Sequence, residues 1–260
     1  MKKLLSAVLA TTMLFAGAVA FTGCGGSNSA DSQTGSQTET AKELHMATNA
    51  AFEPYEYVEG GKITGIDAEI AEAICEKLGY TLVIDDMDFD SIVTAVSSGK
   101  ADFGMAGMTI TEERKQSVDF TDPYTNAVQV IIVNEDEDKV AGADDLETAV
   151  IGVQLGTTGD IYVSDFEETG AKIERFNKGA DAVLALTQGK VDAVVIDNQP
   201  AKAFVAQNEG IKILEEPFEN EEYAICIAKG SELTPKFNQA LSELKSDGTV
   251  DKIIKKYISE

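Results

Sequence analysis

Arginine is scarce in this 260-residue chain: Arg114 and Arg175 are the only two among 21 basic residues. A guanidinium kept where lysine is otherwise used points to bidentate recognition of a carboxylate, because its planar fork matches that geometry. Arg114 ends the run Gly107-Met108-Thr109-Ile110-Thr111-Glu112-Glu113-Arg114, which adds hydroxyl and backbone donors. A competing reading places it in a helix-surface ion-pair set with Glu112, Glu113 and Lys115. Asp197, before Asn198-Gln199-Pro200, is open to two readings as well: a carboxylate for an ammonium, or a turn or N-cap residue. An Arg with Gly and Thr on one side and an Asp on the other is the division that a zwitterion requires.

Two more segments carry candidate chemistry. Gly156-Thr157-Thr158-Gly159-Asp160 lies between a strand and a helix, where free backbone N–H groups and the helix dipole suit an anion such as a carboxylate. It contains neither Gly-Lys-Thr/Ser nor Gly-x-Gly-x-x-Gly, so it is not a phosphate or dinucleotide loop. Asn49-Ala-Ala-Phe52-Glu53-Pro54-Tyr55-Glu56-Tyr57 is an aromatic excursion, and Phe89 falls at a neighbouring strand end. Aromatic faces at a cleft mouth can sandwich an aliphatic or cationic stem. Core packing competes with that role, more for Tyr55 and Tyr57 than for Phe52 and Phe89.

The elements that must position these residues follow from an internal repeat. Ser91 to Ala106 reads as a short amphipathic helix, a Gly99-Lys100 turn and a strand, and Asp181 to Ile196 repeats it around Gly189-Lys190. Upstream of each lie a helix and a strand, Asp67 to Leu78 with Tyr80 to Ile84, and Asp160 to Glu168 with Ala171 to Phe176. Each half opens with a strand, Leu44 to Thr48 and Val150 to Gln154. Two βαβαβ units imply an α/β fold with parallel sheets and helices on both faces. Ligands then sit beyond the carboxyl ends of the strands. Counted from Gly99 and Gly189, Gly107 and Asp197 occupy equivalent positions on the two rims. A last strand spans Tyr223 to Lys229, and helices Pro235 to Ser246 and Val250 to Ile258 pack back on the first half. The expected boundaries are lobe 1 at 44–123 and 226–260, lobe 2 at 129–220, and hinges at 124–128 and 221–225.

Composition limits the function classes. Net charge is −24, which argues against nucleic acid and anionic lipid as partners. His45 is the only His and reads as a strand residue, while Cys75 and Cys226 sit in apolar runs, so neither a metal site nor a disulfide framework is visible. No cofactor is implied. At the start, Lys2 and Lys3 precede an apolar run from Leu4 to Phe21, the pattern of an export signal. Ala18-Val19-Ala20 offers one cleavage site. Phe21-Thr22-Gly23-Cys24 resembles a lipobox, in which Cys24 is acylated after removal of a lipoprotein signal peptide at 1–23. The Gly-, Ser-, Gln- and Thr-rich stretch 24–43 reads as a flexible tether.

Gly107 to Tyr124, with Asp119-Phe120-Thr-Asp122-Pro-Tyr124 at its end, resembles the signature of the bacterial extracellular solute-binding proteins for polar amino acids. Glutamine-binding and lysine/arginine/ornithine-binding proteins are members of that family. Gly65-Ile-Asp67-Ala-Glu-Ile-Ala-Glu-Ala-Ile is similar to the family's first helix, and the likeness covers nearly all of Leu44 to Ile258. The resemblance implies a two-lobed periplasmic-binding-protein-like fold of type II. It implies capture of a free amino acid by hinge closure, with delivery to an ABC permease and its ATPase by an exported, lipid-anchored monomer rather than an enzyme. It further implies that Arg114, Thr109 and the Thr158 region hold an α-carboxylate. Asp197, the Gly107 carbonyl and the Thr109 hydroxyl would hold the α-ammonium, with Phe52 and Phe89 flanking the side chain and Asn49 at its far end. Asn49 stands where several members carry Asp, and Gln154 where glutamine-binding relatives carry Lys, with Glu53 and Glu56 as further nearby acids. A dehydratase with Glu53 as its acid, or a sensory module acting through a separate partner, would share the scaffold.

Overall fold

A computed structural model describes residues 42–136 and 138–258. The expected leader, Cys24 and almost all of the 24–43 stretch lie outside the described residues. Strand β1 (Glu43–Thr48) leads into a small antiparallel unit of β2 (Ala51–Phe52), β3 (Glu56–Glu59) and β4 (Lys62–Thr64), which is the aromatic excursion. Helix α1 (Ile66–Leu78) buries Ile66, Ile70, Ala71 and Ile74 along one face and ends on left-handed Gly79. Strand β5 (Thr81–Asp86), helix α2 (Ile92–Ser97) and the two-residue strand β6 (Phe103–Gly104) complete the first repeat unit.

After β7 (Val118–Phe120), the ten-residue β8 (Thr125–Asn134) leaves the first unit for the second. There follow β9 (Val150–Gln154), α3 (Thr158–Ser164), β10 (Lys172–Phe176), α4 (Gly179–Thr187), β11 (Ala193–Asp197), α5 (Asn198–Gln207) and β12 (Ile211–Ile213). The expected single strand from Tyr223 to Lys229 is two strands. β13 (Glu219–Tyr223) belongs with the second sheet and β14 (Cys226–Ala228) with the first. Helices α6 (Leu233–Ser246) and α7 (Thr249–Tyr257) close the chain and pack on α1.

The first sheet runs β5-β1-β6-β14-β7 and the second β10-β9-β11-β8-β12, with β13 also on β8. Each has the three-stranded parallel core that the repeat demands. Both are mixed rather than wholly parallel, because β14, β8, β12 and β13 join antiparallel. Of these, β8 carries the chain out of the first lobe and β13 and β14 return it, while β12 only extends the second sheet. β8 and β13 pair from Thr125↔Tyr223 to Gln129↔Glu219, a two-stranded ribbon at both expected crossings.

The repeat survives as identical hydrogen-bonding. Lys100 N–H donates to Ala95 O and Lys190 N–H to Ala185 O, both at 2.9 Å, over left-handed Gly99 and Gly189. The Asp three residues past each Gly then takes the N–H of the lobe's first strand: Asp102 Oδ2 from His45 at 2.8 Å, Asp192 Oδ2 from Val150 at 2.6 Å. Each motif thus ends a helix and locks the following strand to its neighbour. Strands β9 and β11 are apolar on both faces, as central parallel strands must be.

The Tyr55 turn is wedged against the start of α1. Gly65 has φ +125°, and a Cβ there would overlap the Tyr55 carbonyl and approach Pro54 O to 2.9 Å. Strain and overpacking together predict that Gly65→Ala lowers Tm by roughly 5–20 °C. Gly142→Ala meets nothing within 4 Å and has extended backbone. Differential scanning fluorimetry of the pair checks this, the control moving by about 2 °C or less.

Candidate functional site

Both parallel cores end on one narrow cavity lined from both lobes. Its lining includes all nine sequence candidates: Asn49, Phe52, Phe89, Gly107, Thr109 and Arg114 from the first lobe, and Gln154, Thr158 and Asp197 from the second. Asn49 follows β1, Gly107 and Thr109 follow β6, Gln154 ends β9 and Asp197 ends β11. The carboxyl ends of the strands therefore supply the polar groups, as the topology dictates.

Arg114 is 8% exposed, in a short 3-10 turn after Glu113. Its Nη1 donates to Thr109 O at 2.7 Å and its Nη2 to Gly156 O of the other lobe at 2.9 Å. The guanidinium lies 5.4 Å from the centre of the Phe89 ring. Among the described residues no carboxylate oxygen lies within 4 Å of it. The surface ion pair instead joins Lys115 to Glu112, and Arg175 takes the structural role by holding Asp160 at 2.7 Å and Glu167 at 3.0 Å. Burial lowers the Arg114 pKa, and several acidic groups work against that shift.

Asp197 is 6% exposed and occupies the N-cap position of α5, yet its side chain does not cap the helix. Its Oδ1 takes the Tyr223 hydroxyl, and no Lys or Arg reaches it among the described residues. Burial first, and the charge of Glu221 second, push its pKa up to about 7. Gly107 is fixed from behind: its N–H donates to Asp67 Oδ2 at 2.8 Å, and Tyr124 donates to the same carboxylate. Asp67 is raised to about 6 by burial, against those hydrogen bonds. Phe52 sits so close that a Cβ on Gly107 would meet its ring at 2.9 Å.

The Gly156–Asp160 loop is less open than its sequence suggests. Gly156 N–H donates to Asp160 Oδ2 at 3.0 Å, and Asp160 N–H to Thr157 Oγ1 at 3.3 Å. What remains toward the cavity is the start of α3, with Thr157 and Thr158 in the lining. At the opposite end, Gln154 Nε2 donates to Asn49 Oδ1 at 3.0 Å and to Asn177 O at 3.1 Å, and Asn49 Nδ2 to Met87 O at 2.7 Å. Asn49 and Gln154 thus meet each other across the lobes.

Sequence reasoning left the direction of Glu56 open, and here the structure is informative. Glu53 is exposed, which removes it as a buried general acid. Glu56 is 1% exposed, lines the cavity, and accepts from no amide, alcohol or phenol donor. Burial first, then the charge of Asp67 and a hydrogen bond shared with that neighbouring carboxyl, raise its pKa well above the usual range. Its place opposite Phe52 in the β2–β3 pair was the available signal: alternate residues of a strand share a face, and Tyr57 is the partly exposed one. Among the described residues no group of acids, His and Cys is arranged to hold a metal, and no helix is long and apolar enough to cross a membrane.

Residues 44–260 match the model of the bacterial extracellular solute-binding proteins, family 3. The arginine-binding extracellular protein ArtP of Bacillus subtilis is 37% identical over 263 residues, spanning 100% of this chain and 99% of that one. An ancestral arginine-binding protein solved with arginine superposes with a TM-score of 0.80 at 44% identity, covering 84% of this chain and 98% of its own. The arginine-, lysine-, histidine-binding protein ArtJ of Geobacillus stearothermophilus gives 0.80 at 35% identity, with 84% and 96% covered. Two lobes, the cavity between them and a family match over the whole described fold place this chain among the bacterial extracellular solute-binding proteins of family 3.

Proposed function

We propose that this chain captures a free basic L-amino acid between its lobes and delivers it to an ABC permease with its ATPase. One observation carries the reading. A buried guanidinium and a buried carboxylate, from different lobes, line one cavity, and neither has a charged partner. A zwitterion supplies both missing partners at once. Arg114, with the Thr109 backbone and the Thr158 region, takes the α-carboxylate. Asp197, the Gly107 carbonyl and the Thr109 hydroxyl take the α-ammonium, while Phe52 and Phe89 flank the side chain.

The preference for a basic side chain rests on Glu56. Once Asp197 is matched to the α-ammonium, Glu56 remains as a second buried acid on the lining, with the Asp67 carboxyl beside it and no cation near it among the described residues. A side-chain guanidinium or ammonium is the group that would relieve it. The names of the relatives, arginine-binding among them, agree with this chemistry. Residues 124–128 and 221–225 serve as the hinge, and export followed by acylation of Cys24 keeps the monomer at the membrane surface.

Three outcomes test the reading. Arg114→Ala abolishes the thermal stabilisation that arginine confers, since removing one member of a desolvated ion pair costs about 3–5 kcal/mol, roughly a hundredfold to several thousandfold in affinity. A mutant that shifts like wild type rejects the role of Arg114. Glu56→Gln weakens arginine at least ~10-fold while leaving glutamine within ~3-fold, as read by calorimetric titration; parallel losses would show that Glu56 does not see the side chain.

The third outcome concerns pH. Asp67, Asp197 and Glu56 have raised folded-state pKa values, so folding takes up protons. For Asp67 and Asp197 the stabilising contribution is complete below about pH 4 and is lost as pH rises through about 6 and about 7, at up to ~1.4 kcal/mol per pH unit per group, and Glu56 acts in the same direction. An ammonium needs Asp197 ionised, so the ligand-induced Tm shift grows from pH 5 to 8 even as the free protein weakens. A flat or shrinking shift across that range would mean that Asp197 holds no cation. The dehydratase alternative would be recognised by continuous loss of ligand on incubation rather than a stable shift.

A further inference from the structure

Behind the cavity, outside its lining, Glu221 of β13 and Gln129 of β8 are 6% and 1% exposed. Glu221 Oε2 accepts from Thr109 Oγ1 at 2.9 Å and from Gln129 Nε2 at 3.1 Å. Gln129 Nε2 in turn reaches Thr158 Oγ1 at 3.4 Å. A hydrogen-bonded chain therefore runs from a lobe-1 threonine, through the two crossing strands, to a lobe-2 threonine. Both threonines line the cavity. Glu221 Oε1 and Gln129 Oε1 are buried without any partner among the described residues, so the pair carries a desolvation cost that packing alone would not require.

We infer that Glu221 and Gln129 set the polarity of the two cavity hydroxyls, fixing Thr109 as an acceptor and Thr158 as a donor toward the ligand. The inference rests on the amino-acid reading above. A hydroxyl has one proton and turns to suit its neighbours. A carboxylate only accepts, so the Thr109 proton is committed to Glu221 and its lone pairs face the cavity, where an ammonium needs them. The amide NH2 of Gln129 only donates, so Thr158 accepts from it and keeps its own proton for a carboxylate. Neither residue touches the ligand; both are positioning residues. Without them each hydroxyl could rotate to offer the wrong group, and the discrimination between the two ends of the zwitterion would fall.

Glu221→Gln is the sharper test, because the new amide can donate to Thr109 and turn its proton toward the ammonium. Affinities for arginine and for its α-deaminated analogue, 5-guanidinopentanoate, are compared by ligand-observed NMR titration, which also reaches weak binders. Loss of a hydrogen bond to a charged group predicts a roughly 10- to 100-fold drop for arginine, with the deaminated acid held within about threefold. Equal losses for both ligands, or no loss, overturn the proposal. Should Glu221→Gln fail to fold, Gln129→Met carries the test. It weakens arginine and the deaminated acid alike, by roughly three- to tenfold, and spares the decarboxylated analogue agmatine. Losses that include agmatine, or none at all, reject the assignment. Wild type that binds none of arginine, lysine, ornithine or glutamine refutes the amino-acid reading itself, and the proposal with it.

Discussion

Two charges of opposite sign are buried at one cavity without being joined, and the rest of the molecule is arranged around that. Arg114 spends two donors on the carbonyl oxygens of Thr109 and Gly156, and Asp197 takes a single phenol, that of Tyr223. Taking an ion out of water costs several kcal/mol even after relaxation. An Arg and an Asp placed to pair would cancel much of that cost between themselves. Held apart in one cavity, they are the basis of the zwitterion site proposed above.

The sheets explain how the two are held apart. Parallel strands deliver their carboxyl ends to one rim, so a repeat gives two rims with equivalent positions. Gly107 and Asp197 stand at those positions, eight residues beyond Gly99 and Gly189. Their rigidity comes from below: Asp67 of α1 receives the Gly107 N–H, and Tyr124 at the crossing donates to the same carboxylate. One lobe thus places its backbone with a buried carboxylate, while the other presents its carboxylate directly. The repeat is structural; the chemistry on it is deliberately unequal.

Much of this was legible from residues alone. The Gly-Lys-x-Asp spacing identified both units because it encodes two functions at once, a left-handed helix stop and an Asp that ties the first strand. Arginine scarcity singled out Arg114, and equivalence to Gly107 singled out Asp197. Strand direction after Thr121 is harder to read, since an apolar run such as Val130–Val133 reads the same in a parallel or an antiparallel partner. Tyr223–Lys229 reads as one strand because Ala224-Ile225 continues its apolar pattern, although Tyr223 pairs with the second sheet and Cys226–Ala228 with the first. Glu221 and Gln129 left no local signal. A buried polar pair on two strands ninety-two residues apart is visible only once the strands are paired.

Magnitudes explain why the ligand should govern closure. Among the described residues the side-chain hydrogen bonds that cross the lobes are few: Gln154 to Asn49 at 3.0 Å, Arg114 to Gly156 O at 2.9 Å and Asn177 to Asp88 at 3.3 Å. Two neutral-donor bonds and one from a guanidinium contribute together about 3–6 kcal/mol. Desolvating Arg114 and Asp197 without ionic partners costs an amount of the same order. With the proposed hinge, terms that nearly cancel would leave open and closed arrangements close in free energy, and a ligand would shift such a balance by its differential affinity for one of them. A zwitterion has that difference built in, because its two ends can be satisfied together only when Arg114 and Asp197 face the same small space.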